Sequence, residues 1–149
     1  MMNELPSQAR VVIIGGGVVG VSCAYHLAKA GWTDCVLLEK NELTAGSTWH
    51  AAGNVPTFST SWSIMNMQRY STELYSNLGD EVDYPMNYNV TGSIRLGHSK
   101  ERIQEFQRAK GMGLYQGMNI EILDNNEIKK LYPFIAVSYT HLRAHETSL

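Results

Sequence analysis

Cysteine is nearly missing from this chain: two are present, Cys23 and Cys35, and they are not in a Cys-x-x-Cys spacing. That excludes a disulfide framework and a zinc knuckle as organising principles. There is no block of basic residues either, with 12 Lys+Arg against 14 Asp+Glu and a net charge of -2. Without such a footprint, nucleic acid and an anionic membrane surface are poor partners. No apolar run approaches the ~18 residues of a membrane span. The polar N-terminus carries a single basic residue, Arg10, before the short apolar run Val11 to Ile14. That run is too short for a secretory signal core and ends in glycines, so the expected location is inside the cell, in the cytoplasm. What remains is one domain's worth of ordinary globular chain: 149 residues, 44% apolar, with 13 Gly and 4 Pro.

Residues 10 to 40 read as strand, helix, strand. The β-branched run Val11-Val12-Ile13-Ile14 leads through three glycines into a helical stretch from Val18 to Lys29, and Cys35-Val36-Leu37-Leu38-Glu39 closes the unit. Val21, Ala24, Tyr25 and Ala28 share a helical face expected to lie on the sheet, and Gly31 stands where a left-handed residue ends the helix. Both strands are continuously apolar, the pattern of parallel strands covered on two faces, yet only one crossover is evident. From Asn41 to Ser61 the residues turn small and polar, forming a loop long enough to be functional. Helical spacing returns over 62 to 78, with Ile64, Met67, Tyr70 and Leu74, and Gly79 is expected to close it. Val90 to Leu96 and Ile120 to Leu123 read as strands, and Lys100 to Ala109 as a helix. Asp124 and Glu127 have capping-box spacing before a short helix that Pro133 stops.

Gly15-Gly16-Gly17-Val18-Val19-Gly20 fits Gly-x-Gly-x-x-Gly and sits between strand and helix, as a dinucleotide site requires. Gly15 permits the tight turn, Gly17 lets a diphosphate approach the backbone, and Gly20 lets helix and strand pack closely. The helix N-terminus at Val18 and Val19 offers unpaired amides to the diphosphate. Glu39, eighteen intervening residues after Gly20, ends the second strand where a carboxylate can accept both ribose hydroxyls. A second anion at that place would be repelled, which speaks against NADP. The glycines, Glu39 and its neighbour Lys40 do not choose between NAD and FAD.

The segment Gly46-Ser47-Thr48-Trp49-His50-Ala51-Ala52-Gly53 resembles the one that follows the second strand in the dimethylglycine dehydrogenase and sarcosine dehydrogenase family of FAD-dependent amine oxidoreductases. The resemblance runs from about Arg10 to Ile135, through Thr91-Gly92-Ser93-Ile94-Arg95-Leu96 and Leu131-Tyr132-Pro133-Phe134. It implies that FAD is the cofactor and that His50 is its covalent attachment point. A neutral imidazole nitrogen is a nucleophile, and the ring methyl of an oxidised flavin can become electrophilic. Ser47 and Thr48 are candidates to donate to the diphosphate or the flavin. The resemblance also implies oxidation of an N-methyl amine such as dimethylglycine or sarcosine, an electron-acceptor protein, and tetrahydrofolate as a receiver of the product. For a eukaryotic source it places the protein in the mitochondrial matrix.

The fold class expected is therefore α/β: a Rossmann-type FAD-binding βαβ unit, then helices and the start of a substrate-domain sheet. Residues 1–136 would be the N-terminal part of an oxidoreductase domain, with the dinucleotide unit and flavin loop over 8–56. Two other classes stay open, an NAD-dependent dehydrogenase and a catalytically silent, truncated dinucleotide-binding module. No general base can be assigned. Met65, Met67, Met86, Met112 and Met118 are expected to fill core gaps, Cys23 to be buried, and Glu101, Arg102, Glu105 and Arg108 to form a solvated helix face. Arg95 is expected to face solvent, with a substrate carboxylate as the alternative. Residues 137–149 continue no earlier pattern and resemble the translation of sequencing-adaptor or vector read-through, so they are expected to be a non-native tail. Within them His141 and His145 lack the third ligand and intervening Glu of a zinc motif.

Overall fold

The computed structural model describes residues 6–136 and the backbone of 141–145. The chain divides into two compact units, with the boundary between Asn54 and Val55.

In the first unit, β1 (Val11–Ile14) and β2 (Cys35–Leu38) pair in parallel, with Val11 opposite Cys35 and Ile14 opposite Leu38. The crossover between them is α1 (Val18–Lys29). Gly31, at φ 81°, ends the helix in the left-handed region as expected, and the Trp32 amide donates back to the Leu27 carbonyl. Ile13 faces α1, where its side chain lies beside Gly20. Val12 and Ile14, pointing the other way, are 53% and 87% exposed. The apolar runs are those of strands covered on two faces, and only one face is covered here. Two strands are also too narrow a floor for the helix: Ala24 and Tyr25 are half-buried, but Val21 and Ala28 stay exposed, and no residue of α1 is fully buried. Cys23, expected inside, is exposed for the same reason.

The second unit contains α2 (Trp62–Val82), β3 (Ser93–Leu96), α3 (Lys100–Tyr115), β4 (Asn119–Leu123), α4 (Asn125–Leu131) and β5 (His141–His145). Its sheet has the order β3-β5-β4, with β5 antiparallel to both neighbours. A strand at 141–145 was not legible in the sequence. Its backbone lies between two earlier strands, each of which pairs with it. The core gathers Phe58, Met65, Phe106, Ala109, Met118 and Ile120, with Ile103 and Ile122 packed against it. Of the five methionines expected inside, Met65 and Met118 are; Met67, Met86 and Met112 are at least 36% exposed. The stripe Ile64, Met67, Tyr70 also faces outward, since α2 turns Met65 to the core instead.

Three element ends differ from the sequence reading. Helix α2 runs through Gly79 to Val82 because the left-handed residue that stops it is Asp83, at φ 50°. Helix α3 continues past Ala109 to Tyr115, carrying Gly113 to a point where only glycine fits beside Ile120. Strand β3 begins only at Ser93. The capping box of α4 forms as expected: Asp124 Oδ1 accepts from the amides of Asn126 and Glu127 at 2.8 and 2.9 Å, and Glu127 Oε2 accepts from the Asp124 amide at 2.7 Å. The solvated face of α3 also forms, with Arg102 and Glu105 paired at 2.6 Å. Arg95 is exposed, with its guanidinium 5.1 Å from the centroid of the Phe58 ring and 3.5 Å from the Phe58 carbonyl oxygen. Among the described residues, no helix is long and apolar enough to cross a membrane.

Candidate dinucleotide site and histidine loop

The site is built at the carboxyl ends of β1 and β2, where a parallel βαβ unit opens. Gly15 takes φ 104°, the turn that needs glycine, and no heavy atom lies within 4 Å of where a Cβ would be. The space on that side of Gly15 is open. Gly17, in extended conformation, is the N-cap of α1, and Gly20 lies so close to the Gly15 carbonyl that a side chain there would meet backbone. Gly15 and Gly20 thus show the tight turn and the close helix–strand packing read from the motif, while beside Gly17 stands the Thr48 hydroxyl.

Glu39 follows β2 directly, and both of its oxygens are engaged. Oε2 accepts from the Gly16 amide at 2.7 Å and Oε1 from the Asn41 amide at 2.9 Å. The Gly16 bond is the main reason its carboxyl is held below the ordinary 4.5, with the Asn41 and Lys40 amides and the Lys40 charge adding to it and desolvation opposing. A carboxylate has about four acceptor positions. Two remain for the paired hydroxyls of a ribose, so the residues present fit an adenine dinucleotide.

Because Glu39 is bound as the anion, its contribution to stability is complete above pH 4.5 and is lost as pH falls through its depressed value. The melting temperature of the chain should exceed that of Glu39→Gln at pH 6, and the gap should close on acidification towards pH 3. A gap independent of pH would mean that the ionised carboxylate contributes nothing.

The loop after Glu39 folds back over the glycine turn. The Thr44 amide donates to the Gly16 carbonyl at 3.0 Å, with Thr44 itself at φ 67°. Thr48 Oγ1 accepts from the Val18 amide at 2.9 Å and sits 3.0 Å from where a Cβ on Gly17 would be. A hydroxyl that accepts from a helix N-terminus still has its proton to donate. Thr48 can therefore pass the pull of that terminus on to an anion. Ser47, Val19 and Lys40 are exposed. His50 is exposed too, and its Nδ1 lies 2.9 Å from the Gly46 carbonyl oxygen. A carbonyl only accepts, so Nδ1 carries the proton in this contact and the neutral ring keeps its lone pair on Nε2.

The sequence reading had assigned no role to Gly16. It is the joint of the site, with its amide on Glu39 and its carbonyl on Thr44, and a Cβ there would crowd Glu39 and Leu43. The only signal in the sequence was that the middle position of the motif is also glycine.

A left-handed glycine turn, a carboxylate after β2 and a helix N-terminus have the form of a dinucleotide site, and the class of protein comes from the family comparison. The family described as DAO, FAD dependent oxidoreductase, matches residues 10–146, and the chain belongs to it. Its relatives include the mitochondrial dimethylglycine dehydrogenase of Rattus norvegicus, 43% identical over 132 residues, which are 89% of this chain and 15% of that protein. Another is the mitochondrial pyruvate dehydrogenase phosphatase regulatory subunit of Mus musculus, 41% identical over 133 residues, again 89% of this chain and 15% of that protein. The chain thus spans about 15% of the length of these relatives. Among solved structures, L-amino acid deaminase from Proteus myxofaciens shares the fold at TM-score 0.86 and 22% identity, covering 95% of this chain and 33% of that one.

Proposed function

We propose that this chain is the nucleotide-gripping part of a flavoprotein that oxidises an N-methyl amine of the dimethylglycine or sarcosine type. The observation that carries the reading is the set of bonds that fastens the loop to the glycine turn, Glu39 on Gly16, Thr44 on Gly16 and Thr48 on Val18, with His50 held on Gly46 in the same loop and the dehydrogenase relative supplying the substrate class. Gly15, Gly17 and Gly20 would shape the turn for the diphosphate, Val19 at the start of α1 would hold it with Ser47 and Thr48, whose hydroxyl takes up the Val18 amide, and Glu39 beside Lys40 would hold the ribose. Bound FAD would supply the two-electron acceptor for an amine C–H bond. His50 would tether the ring through Nε2, the nitrogen that the Gly46 carbonyl leaves free. An electron-acceptor protein and tetrahydrofolate complete the reading in the longer protein, and a mitochondrial matrix location goes with a eukaryotic source.

The tether is tested by loading the protein with FAD and denaturing it in acid. Yellow fluorescence should stay with the chain and be absent from His50→Ala; flavin released freely from the unaltered protein would refute attachment. The reaction is tested by giving the flavin-loaded protein dimethylglycine or sarcosine with an electron-accepting dye: at least one should reduce the dye, and reduction by neither would overturn the reading.

A further inference from the structure

Thr44 carries two backbone bonds that serve different parts of the first unit. Its amide donates to the Gly16 carbonyl at 3.0 Å, and its carbonyl accepts from the Trp49 amide, also at 3.0 Å. The first bond fastens the loop to the glycine turn. The second closes the turn from Thr44 to Trp49, inside which the Gly46 carbonyl meets the Trp49 amide at 3.2 Å and His50 Nδ1 at 2.9 Å. The two bonds leave from the two peptide planes that meet at the Thr44 Cα, so the angle between them is set by the φ and ψ of that residue. Its φ is 67°, in the left-handed region that a β-branched residue seldom enters. Residues held there against their preference persist only where the surroundings impose it, and they gather at ligand clamps and switches. The Thr44 side chain is exposed.

We infer that Thr44 is a positioning residue: its left-handed backbone, and not its side chain, sets the turn that bears His50 against the glycine turn of the dinucleotide site. The use of that placement rests on the flavoprotein reading, and its geometry rests on the backbone bonds. With a negative φ the amide and the carbonyl of Thr44 would diverge differently, and one of the two bonds would be lost. Without the bond to Gly16 the loop comes away from the glycines. Without the bond to Trp49 the histidine turn comes away from the loop.

Three variants separate backbone from side chain. Thr44→Val keeps the branched shape and lacks the hydroxyl, Thr44→Asn brings a residue type that tolerates the left-handed region, and Thr44→Pro fixes φ at about −65° and has no amide to donate. The first readout needs no cofactor: hydrogen exchange of the Trp49 amide, which reports local opening, and the ring nitrogen shifts of His50, which report its tautomer. Thr44→Val should leave both as they are. Thr44→Asn should slow Trp49 exchange by about tenfold as the strain is relieved, with the His50 shifts unchanged. Thr44→Pro should expose the Trp49 amide and return His50 to the tautomer mixture of a free imidazole. It should also weaken FAD binding, read by fluorescence quenching, by about tenfold, because affinity falls with the fraction of chains that hold the competent loop; Thr44→Asn should keep it. If Thr44→Pro unfolds, the contrast of Thr44→Asn with Thr44→Val decides by itself. Trp49 exchange that is alike in the unaltered chain, Thr44→Val and Thr44→Asn, or a loss in Thr44→Val as large as in Thr44→Pro, would overturn the inference. The exchange measurement decides it whether or not FAD binds, while FAD binding by the unaltered protein bears on the flavoprotein reading.

Discussion

Gly20→Ala is expected to abolish nucleotide binding and to unfold the first unit. The added methyl would press into the Gly15 carbonyl oxygen, with the Ile13 side chain 3.3 Å away on its other side. Both obstacles belong to the packed βα turn, so neither can swing aside as the end of a long side chain would. Overpacking costs about 1–3 kcal/mol where side chains can adjust, and a backbone obstacle puts this substitution at or beyond the upper figure. Against a total stability of about 5–15 kcal/mol for a typical domain, a unit with two strands and one half-buried helix has little to spare. Gly46→Ala is the matched control, since nothing lies within 4 Å of its Cβ position and its φ is not left-handed. Circular dichroism melting and FAD binding by fluorescence quenching should separate the two. A Gly20→Ala chain that melts and binds FAD like the original would show that α1 does not pack on β1 in this way.

The second large effect is expected where α3 meets β4. Ile120 is 1% exposed and lies so close to Gly113 that a methyl there would strike its Cδ1. Ile120→Ala should cost about 2–5 kcal/mol, the transfer free energy of the lost methylenes plus the cavity left behind. Gly113→Ala should destabilise the unaltered chain through overlap. In the Ile120→Ala background the same change removes no space that is needed, and it brings the helix propensity gain of about 1 kcal/mol. The two substitutions should therefore be strongly non-additive, with a coupling of about 1–3 kcal/mol from urea unfolding. Additive costs would mean that the residues do not touch.

The dinucleotide unit was the most legible part of the sequence because each of its residues answers a backbone demand. A left-handed turn at Gly15, close packing at Gly20 and a carboxylate after β2 are all local, and they leave fixed spacings. The α4 capping box was legible for the same reason. Exposure was not, because it depends on what stands opposite. Val12 and Ile14 read as interior strand residues and are bare, while Cys23 and Val21 read as a helix interior and are exposed. The inward turn of Met65 rather than Met67 was equally hidden, since α2 is apolar on more than one side and periodicity alone cannot choose between them. The end of α2 was misplaced because Gly79 looks like a stop, and α3 runs on past Ala109 through Gly111 and Gly113. Helices accept glycine where a neighbour must come close, as Met86 does at Gly79 and Ile120 at Gly113.

The bond between His50 and the Gly46 carbonyl has a consequence for timing. Free in water, an imidazole shares its proton between two nitrogens and its ring turns through several rotamers. Here the partner is four residues upstream in the same turn, so the choice of nitrogen is made when the loop folds and does not wait for a ligand. The loop presents one defined lone pair in advance, a form of pre-organisation that a histidine on a freely moving segment would lack.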